Sequence, residues 1–286
     1  MGAEIADGLR LVLADNPSPL TGRGTNTWII GTDRVVVLDP GPALASHFAA
    51  LTAETRGAAV EAVIVTHAHR DHAGLARRLA AETGAPLLGF GPVGQPQQSI
   101  AGVTPETGED PVLRDLLPDV RLGDGTMWRG GAGEIRAVHT PGHLDDHLCL
   151  VWEGMAFSGD HVMGWSSTVI APPDGHMGDY MASLARLDAV AASRLLPGHG
   201  DPVDEPGERI AALRAHRLAR EAQILAELAH GPTRITRLVA RLYAGVPTGL
   251  HRAAALNVLA HLIDLEGKKA VVASPAVGMD ALWRLA

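Results

Sequence analysis

The chain has 286 residues, 46% of them apolar, a formal charge of −8 and a single cysteine, Cys149. That apolar share can build a sizeable core, the length suits one large domain or a large and a small one, and one cysteine excludes an intrachain disulfide. No apolar run approaches the roughly 20 residues of a membrane span, and residues 1–16 lack the basic-then-apolar layout of a signal peptide, so a soluble, cytoplasmic protein with no membrane partner is expected. The charge is uneven, −13 over residues 1–206 and +5 over residues 207–286. An acidic main body disfavours broad nucleic-acid binding, while the basic tail leaves room for a local anionic partner.

Residues 24–31 and 34–41 read as two strands joined by the turn Gly31-Thr32-Asp33. A helix follows over 43–55, then an apolar strand over 60–65. That strand runs into Thr66-His67-Ala68-His69-Arg70-Asp71-His72-Ala73-Gly74. In extended backbone, residues two apart point the same way, so His67 and His69 can face one point in space. Asp71 and His72 fall where the chain turns into a helix expected over 73–82. Imidazole nitrogen and carboxylate oxygen are ligands that zinc accepts, and this cluster can aim two pairs of them at two adjacent metal positions. A polar surface loop is the plainer reading, and four donors behind a buried strand argue against it.

His-x-His-x-Asp-His is the hallmark of the metallo-β-lactamase-fold hydrolases, which this sequence resembles. Within them it is most similar to the lactamase-beta-like branch, which carries a small winged-helix domain at its C-terminus. The resemblance implies an α/β fold, an αββα sandwich with metals at one edge. It also implies that Asp39, in Leu38-Asp39-Pro40-Gly41, lies near the metals without ligating them. A plain turn aspartate is the alternative for that residue.

A short strand is expected over 85–90. Residues 91–118, rich in proline, read as a long loop bordering the active site. Strands over 119–139, with a turn at Gly130-Gly131, lead into His139-Thr140-Pro141-Gly142-His143-Leu144-Asp145-Asp146-His147. By resemblance, His143 is the next metal ligand. His139 and His147, at a strand end and a strand start, are read as packing or hydrogen-bonding groups, and Asp146 as able to orient an imidazole. In Ala156-Phe157-Ser158-Gly159-Asp160-His161, Asp160 matches the carboxylate that bridges both metals. True β-lactamases commonly have cysteine there, so antibiotic hydrolysis is not expected. His161 is left outside the ligand set. Asp174 and His176 are turn residues or substrate contacts. A helix is expected over 180–192, where Tyr180 either holds a reacting carbonyl, as in related lactonases, or fills the core. Leu195-Leu196-Pro197-Gly198-His199-Gly200 supplies the last ligand, His199.

Residues 205–229 read as one long helix ended by Gly231-Pro232. Helices over 235–242 and 250–266, a basic turn at Gly267-Lys268-Lys269, and a strand pair formed by 270–272 and 281–284 fit a winged helix. The expected division is a catalytic domain over 1–204, a connecting helix over 205–232 and a winged-helix domain over 233–286. The resemblance assigns His67, His69 and His143 to one metal, and Asp71, His72 and His199 to the other, with Asp160 between. Two zinc ions are expected, iron or manganese occupying related sites, roughly 3.5–4 Å apart. They would supply a bridging hydroxide near neutral pH, which Asp71 helps orient as a catalytic residue. The first expectation is therefore a dinuclear zinc hydrolase acting on a small ester, thioester or similar bond. The second is an endoribonuclease acting on single-stranded RNA, and the third a metal-bearing binding protein without turnover.

Overall fold

In the computed structural model, short apolar runs within the first 121 residues form a seven-stranded sheet; residues 2–94, 100–103 and 111–286 are described. Its strands are β1 (Ala3–Ala6), β2 (Leu9–Leu13), β3 (Asn26–Ile30), β4 (Arg34–Leu38), β5 (Ala59–Ile64), β6 (Leu87–Gly89) and β7 (Val120–Arg121). They lie in sequence order, antiparallel as far as β4 and parallel from there on. The β1–β2 hairpin is an addition to the elements read from sequence. Its signal is Asp7-Gly8 between two apolar-containing runs, with Gly8 at φ 67°.

The second sheet has five strands: β8 (Met127–Gly130), β9 (Gly133–His139), β10 (Leu148–Trp152), β11 (Met155–Gly159) and β12 (Leu195–Pro197). They are ordered β12-β11-β10-β9-β8, and only the β11–β12 pair is parallel. Alternate residues of the two sheets meet in one core: Trp28, Ile30, Leu38 and Ile64 from the first, and Leu150, Trp152 and Phe157 from the second. Trp28 and Phe157 meet edge to face at 5.8 Å. Cys149, on the opposite face of β10, is fully buried, and burial pushes its thiol up to about 12. It is an inert core residue.

Helices cover both outer faces. Ile29, Val35, Val37 and Val63 pack against α1 (Ala45–Glu54) and α3 (Ala76–Thr83), with the single turn α2 (Arg70–Ala73) between. The helix expected over 73–82 is thus two helices. The break falls at Gly74, where a Cβ would meet Arg70 O at 2.5 Å and Ala43 N at 2.8 Å. On the other face, Val138, Cys149 and Leu195 pack against α4 (Met177–Asp188) and the first half of α5 (Pro206–Leu228). The order helix, sheet, sheet, helix is the αββα sandwich.

A fourth apolar cluster belongs to the C-terminal winged helix. Here α6 (Ile235–Leu242), α7 (His251–Gly267) and the hairpin β13 (Val271–Ser274)–β14 (Leu282–Leu285) enclose Leu238, Val258, Leu259, Leu262 and Trp283. Ile224 and Leu228 of α5 join this core, while Ile210 and Leu213 of the same helix belong to the sandwich. One helix therefore ties the two units together. Among the described residues no helix is long and apolar enough to cross a membrane.

Leu150 is fully buried between the sheets. Leu150→Ala should lower unfolding free energy by about 2–5 kcal/mol, measured by denaturant titration; a smaller loss would mean that this core can close around the gap.

Candidate metal centre

The chain leaves β5, β9, β11 and β12 at the same edge of the sandwich. Hydrogen bonds between strand ends and loops stitch the two sheets there: Leu148 N–H to Thr66 O at 2.8 Å, and Asn26 N–H to Gly198 O at 2.8 Å. The Asn26 side chain adds bonds to Pro197 O and Gly200 O. This brings His67, His69, Asp71, His72, His143, Asp160 and His199 together. They form three overlapping groups in which donor atoms lie within 4.8 Å of one another: His67/His69/His143, His67/His72/Asp160 and Asp71/His72/His199.

Their outer nitrogens are committed elsewhere. His143 Nδ1–H donates to Val169 O at 2.9 Å, and His199 Nδ1–H to Gly24 O at 3.1 Å. His72 Nδ1–H donates to Asp39 Oδ2 at 2.9 Å. Thr66 Oγ1 donates to the same Asp39 oxygen, so it accepts from His67 Nδ1–H at 2.9 Å. Four Nε2 atoms are thereby turned inward, the arrangement that prepares an imidazole to ligate. His69 is the exception and turns Nδ1 inward, 3.1 Å from His67 Nε2 and 2.9 Å from His143 Nε2.

Two electrostatic halves result. Burial, reinforced by the neighbouring imidazoles, holds His67 well below its ordinary value; burial also lowers His69 to about 3 and depresses His143. These three are neutral at pH 7. Burial pulls the same way on His199, but Asp160 and Asp71 outweigh it and raise that ring to about 10. At His72, burial is overcome by Asp71, Asp160 and Asp39, which raise it well above its ordinary value. Burial would raise Asp71 and Asp160 in turn; His72 and His199 instead hold both carboxylates low. A cation seated among these atoms would take over the charge that protons balance here.

The donor set fits metal ions. Three neutral imidazole nitrogens face one another at hydrogen-bond distance with too few protons to pair them. Asp160 Oδ1 is buried and lacks a properly angled hydrogen bond, although His72 Nε2 stands 3.2 Å away. Nitrogen and oxygen donors of this kind suit zinc, iron or manganese. No side chain can intrude at Gly198, where a Cβ would lie 2.5 Å from His72 Cε1 and 2.6 Å from Asp160 Oδ1.

Other residues fall as follows. Asp39 accepts from Thr66 N–H, Thr66 Oγ1 and His72, which bears out its place beside the cluster. His147 donates from Nδ1 to Thr140 Oγ1 and accepts Asp160 N–H at Nε2, fixing the Asp160 backbone. His139 stacks on Phe90 at 4.0 Å, and His161 packs on Tyr180 at 4.9 Å. Asp146 does not orient an imidazole: its Oδ1 is buried without a partner, and burial raises its carboxyl well above the ordinary range. Tyr180 is a core aromatic, fully buried, its backbone packed against Gly142 in the turn before His143. Asp174 is held by both carboxylate oxygens on Arg114, and His176 lines a different cavity beside Met177 and Asp264. Of the loop expected over 91–118, residues 95–99 and 104–110 lie outside the described set. Its far end runs along the motif, with Arg70 N–H donating to Pro111 O and Leu113 N–H to Ala68 O.

A cavity of about 360 Å³ opens onto His69, Asp71, His143, Asp160 and His199. Two segments without periodicity wall it, 16–21 through Asn16, Ser18, Leu20 and Thr21, and 163–169 through Met163 and Thr168. The first of these had no sequence signal beyond its polar, proline-containing composition.

Comparison with known proteins agrees with the geometry. Residues 20–199 match the Metallo-beta-lactamase superfamily, and residues 235–276 match the Beta-lactamase associated winged helix domain. The chain is 31% identical over 268 residues to the "Beta-lactamase-like protein 2 homolog" of Drosophila melanogaster, covering 89% of this chain and 86% of that one. It is 31% identical over 225 residues to the "Atrochrysone carboxyl ACP thioesterase" of Aspergillus chevalieri, covering 76% and 64%. A beta-lactamase domain protein from Burkholderia ambifaria superposes with a TM-score of 0.80 at 24% identity, over 100% of this chain and 93% of that one.

Two outcomes follow. Asp39→Asn, which removes the carboxylate behind His72 and Thr66, should weaken metal retention about 10–100-fold in a chelator competition; unchanged retention would leave Asp39 a turn residue. Loading the Asp71/His72/His199 group at pH 8 should release protons, because His199, raised to about 10, carries its proton at that pH and His72 is shifted the same way. Loading His67/His69/His143 should release none. Calorimetry in two buffers of different ionisation enthalpy separates the two steps, and equal release at both would contradict the assignment.

Proposed function

Since this chain belongs to the metallo-beta-lactamase superfamily and is a metal-dependent hydrolase, we propose that its seven-donor cluster holds two metal ions, zinc first among them, and hydrolyses a small ester or thioester. His67, His69 and His143 would hold one ion and Asp71, His72 and His199 the other, with Asp160 shared. Bound cations of this kind lower the pKa of the water they hold and polarise an acyl oxygen. The residues of the chain do the rest. Asp71 lines the cavity and keeps a charged carboxylate, so it can accept a hydrogen bond from the attacking water and orient it. Thr66, Asp39, Val169 and Gly24 hold the imidazoles so that no reorganisation is needed as charge develops. No serine or cysteine nucleophile is required, which accords with the inert Cys149.

The observation that carries the substrate class is the cavity wall. Among its described residues Arg70 is the only lysine or arginine, and no Phe, Tyr or Trp ring lines it. Single-stranded nucleic acid is gripped by cationic grooves and stacked on aromatic platforms, and this wall offers neither in quantity. Lys268, in the basic turn of the winged helix, is paired with Asp264 at 2.7 Å and Glu221 at 3.1 Å. Leu20, Leu44 and Met163 suit an apolar acyl group, and a curated relative is named as an acyl-carrier thioesterase. The division into a catalytic domain over 1–204, a connecting helix over 205–232 and a winged-helix domain over 233–286 belongs to the same proposal, supported by the separate cores.

The test is a panel of acyl thioesters and esters beside a labelled single-stranded RNA, using zinc-loaded chain. Thioester hydrolysis that falls by more than about a hundredfold in Asp160→Ala is expected. RNA cleavage lost in the same variant, with no acyl turnover, would replace this substrate class by the nuclease.

A further inference from the structure

The imidazole of His143 is oriented by a peptide group that is itself held from outside the catalytic domain. His143 Nδ1–H donates to Val169 O at 2.9 Å. The other end of that same peptide unit, Ile170 N–H, donates at 3.1 Å to Oδ1 of Asn257, which lies on α7 of the winged helix. Arg217 of α5 donates from Nη1 to the same Asn257 oxygen at 3.1 Å and from Nη2 to Thr168 O. Thr168 Oγ1 in turn donates to the backbone oxygen of Asp160. Eight residues earlier on α5, Arg209 donates to Met163 O at 2.7 Å and to Ser166 O at 2.6 Å. The wall 163–170 has no helix or strand of its own, and its Met163, Ser166 and Thr168 carbonyls and its Ile170 N–H take their partners from the connecting helix and the winged helix.

We propose that the winged helix supports the metal centre, with Asn257 and Arg217 as positioning residues acting on His143 and Asp160 through the Thr168–Ile170 backbone. This rests on the reading of His143 as a metal donor. A peptide group is planar, so fixing its N–H fixes the direction of its C=O. The two bonds lie in series through one peptide and polarise one another. Arg217 is 2% exposed and Asn257 8% exposed, so water cannot replace either partner cheaply. Arg217 has no carboxylate within ion-pair distance among the described residues; its partners are these oxygens and the Tyr180 ring, 5.1 Å from its Cζ. A buried cation kept without an acid is costly for stability, and what it holds in return is the wall of the active-site cavity. Partners outside the donor set typically change metal affinity about 10–100-fold when removed.

The experiment measures zinc retention against a chromogenic chelator in the full chain, together with the absorption of the cobalt-substituted protein. Asn257→Leu, which keeps the volume and loses the acceptor, should weaken retention of the more labile ion about 10–100-fold and change the cobalt spectrum. Asn257→Asp, which keeps an acceptor for Ile170 N–H and Arg217, should restore both towards the unmodified chain. Leu259→Ala, a cut in the core of the winged helix away from this bridge, should lower thermal stability and leave retention unchanged. If Asn257→Leu does not fold, Asn257→Ser, whose hydroxyl is too short to hold the same peptide, is read against the same outcomes. Unchanged retention and spectrum in the folded Asn257 variant would overturn the inference while leaving the metal centre intact. An unmodified chain that retains no cation would overturn the metal reading and this inference with it.

Discussion

The open edge of the sandwich depends on where four Nδ1–H groups go. His67, His72, His143 and His199 each direct that hydrogen outward, to Thr66 Oγ1, Asp39, Val169 O and Gly24 O. Each bond fixes a tautomer and a ring plane, and together they turn four Nε2 atoms towards one small volume. Without them the rings would turn to satisfy one another, since neutral imidazoles can share protons pairwise. The strands supply position, and these outer bonds supply direction.

That arrangement carries a cost. Three buried and two half-buried imidazoles and two nearly buried carboxylates face one another where water is scarce, and the electrostatics settle into a neutral triad and an ionised half. The two imidazoles of the ionised half, His72 and His199, are shifted upward and Asp71 and Asp160 downward, so that each pair offsets the other's burial. Two cations would replace the protons on those imidazoles and also use the lone pairs of the triad. The same donors therefore read as a strained network without metal and a satisfied one with it, as expected where ligand binding and folding are linked.

Much of the site was legible in the sequence because it is local. The spacing of His67, His69, Asp71 and His72 is visible within six positions, and the downstream donors each follow a short apolar strand that ends in a turn. The long helix of residues 206–228 and the helix of residues 235–242 were legible from composition and periodicity. What could not be read was set by packing between distant segments. Tyr180 and His176 carry the right chemistry for substrate contact, but α4 turns Tyr180 into the core and leaves His176 at another cavity. Asn257 and Arg217 look like ordinary helix residues, and only the close approach of α5 and α7 to the irregular wall gives them a part in the site. The β1–β2 hairpin was legible in Asp7-Gly8, although its strands are too short to show strong alternation.

The most direct test of the central claim is metal content by mass spectrometry after loading and desalting, in the unmodified chain, His143→Ala and His199→Ala. The account expects about two ions per unmodified chain and about one in each variant, because each histidine belongs to a different half of the cluster. One ion or none in the unmodified chain, or two in both variants, would contradict it.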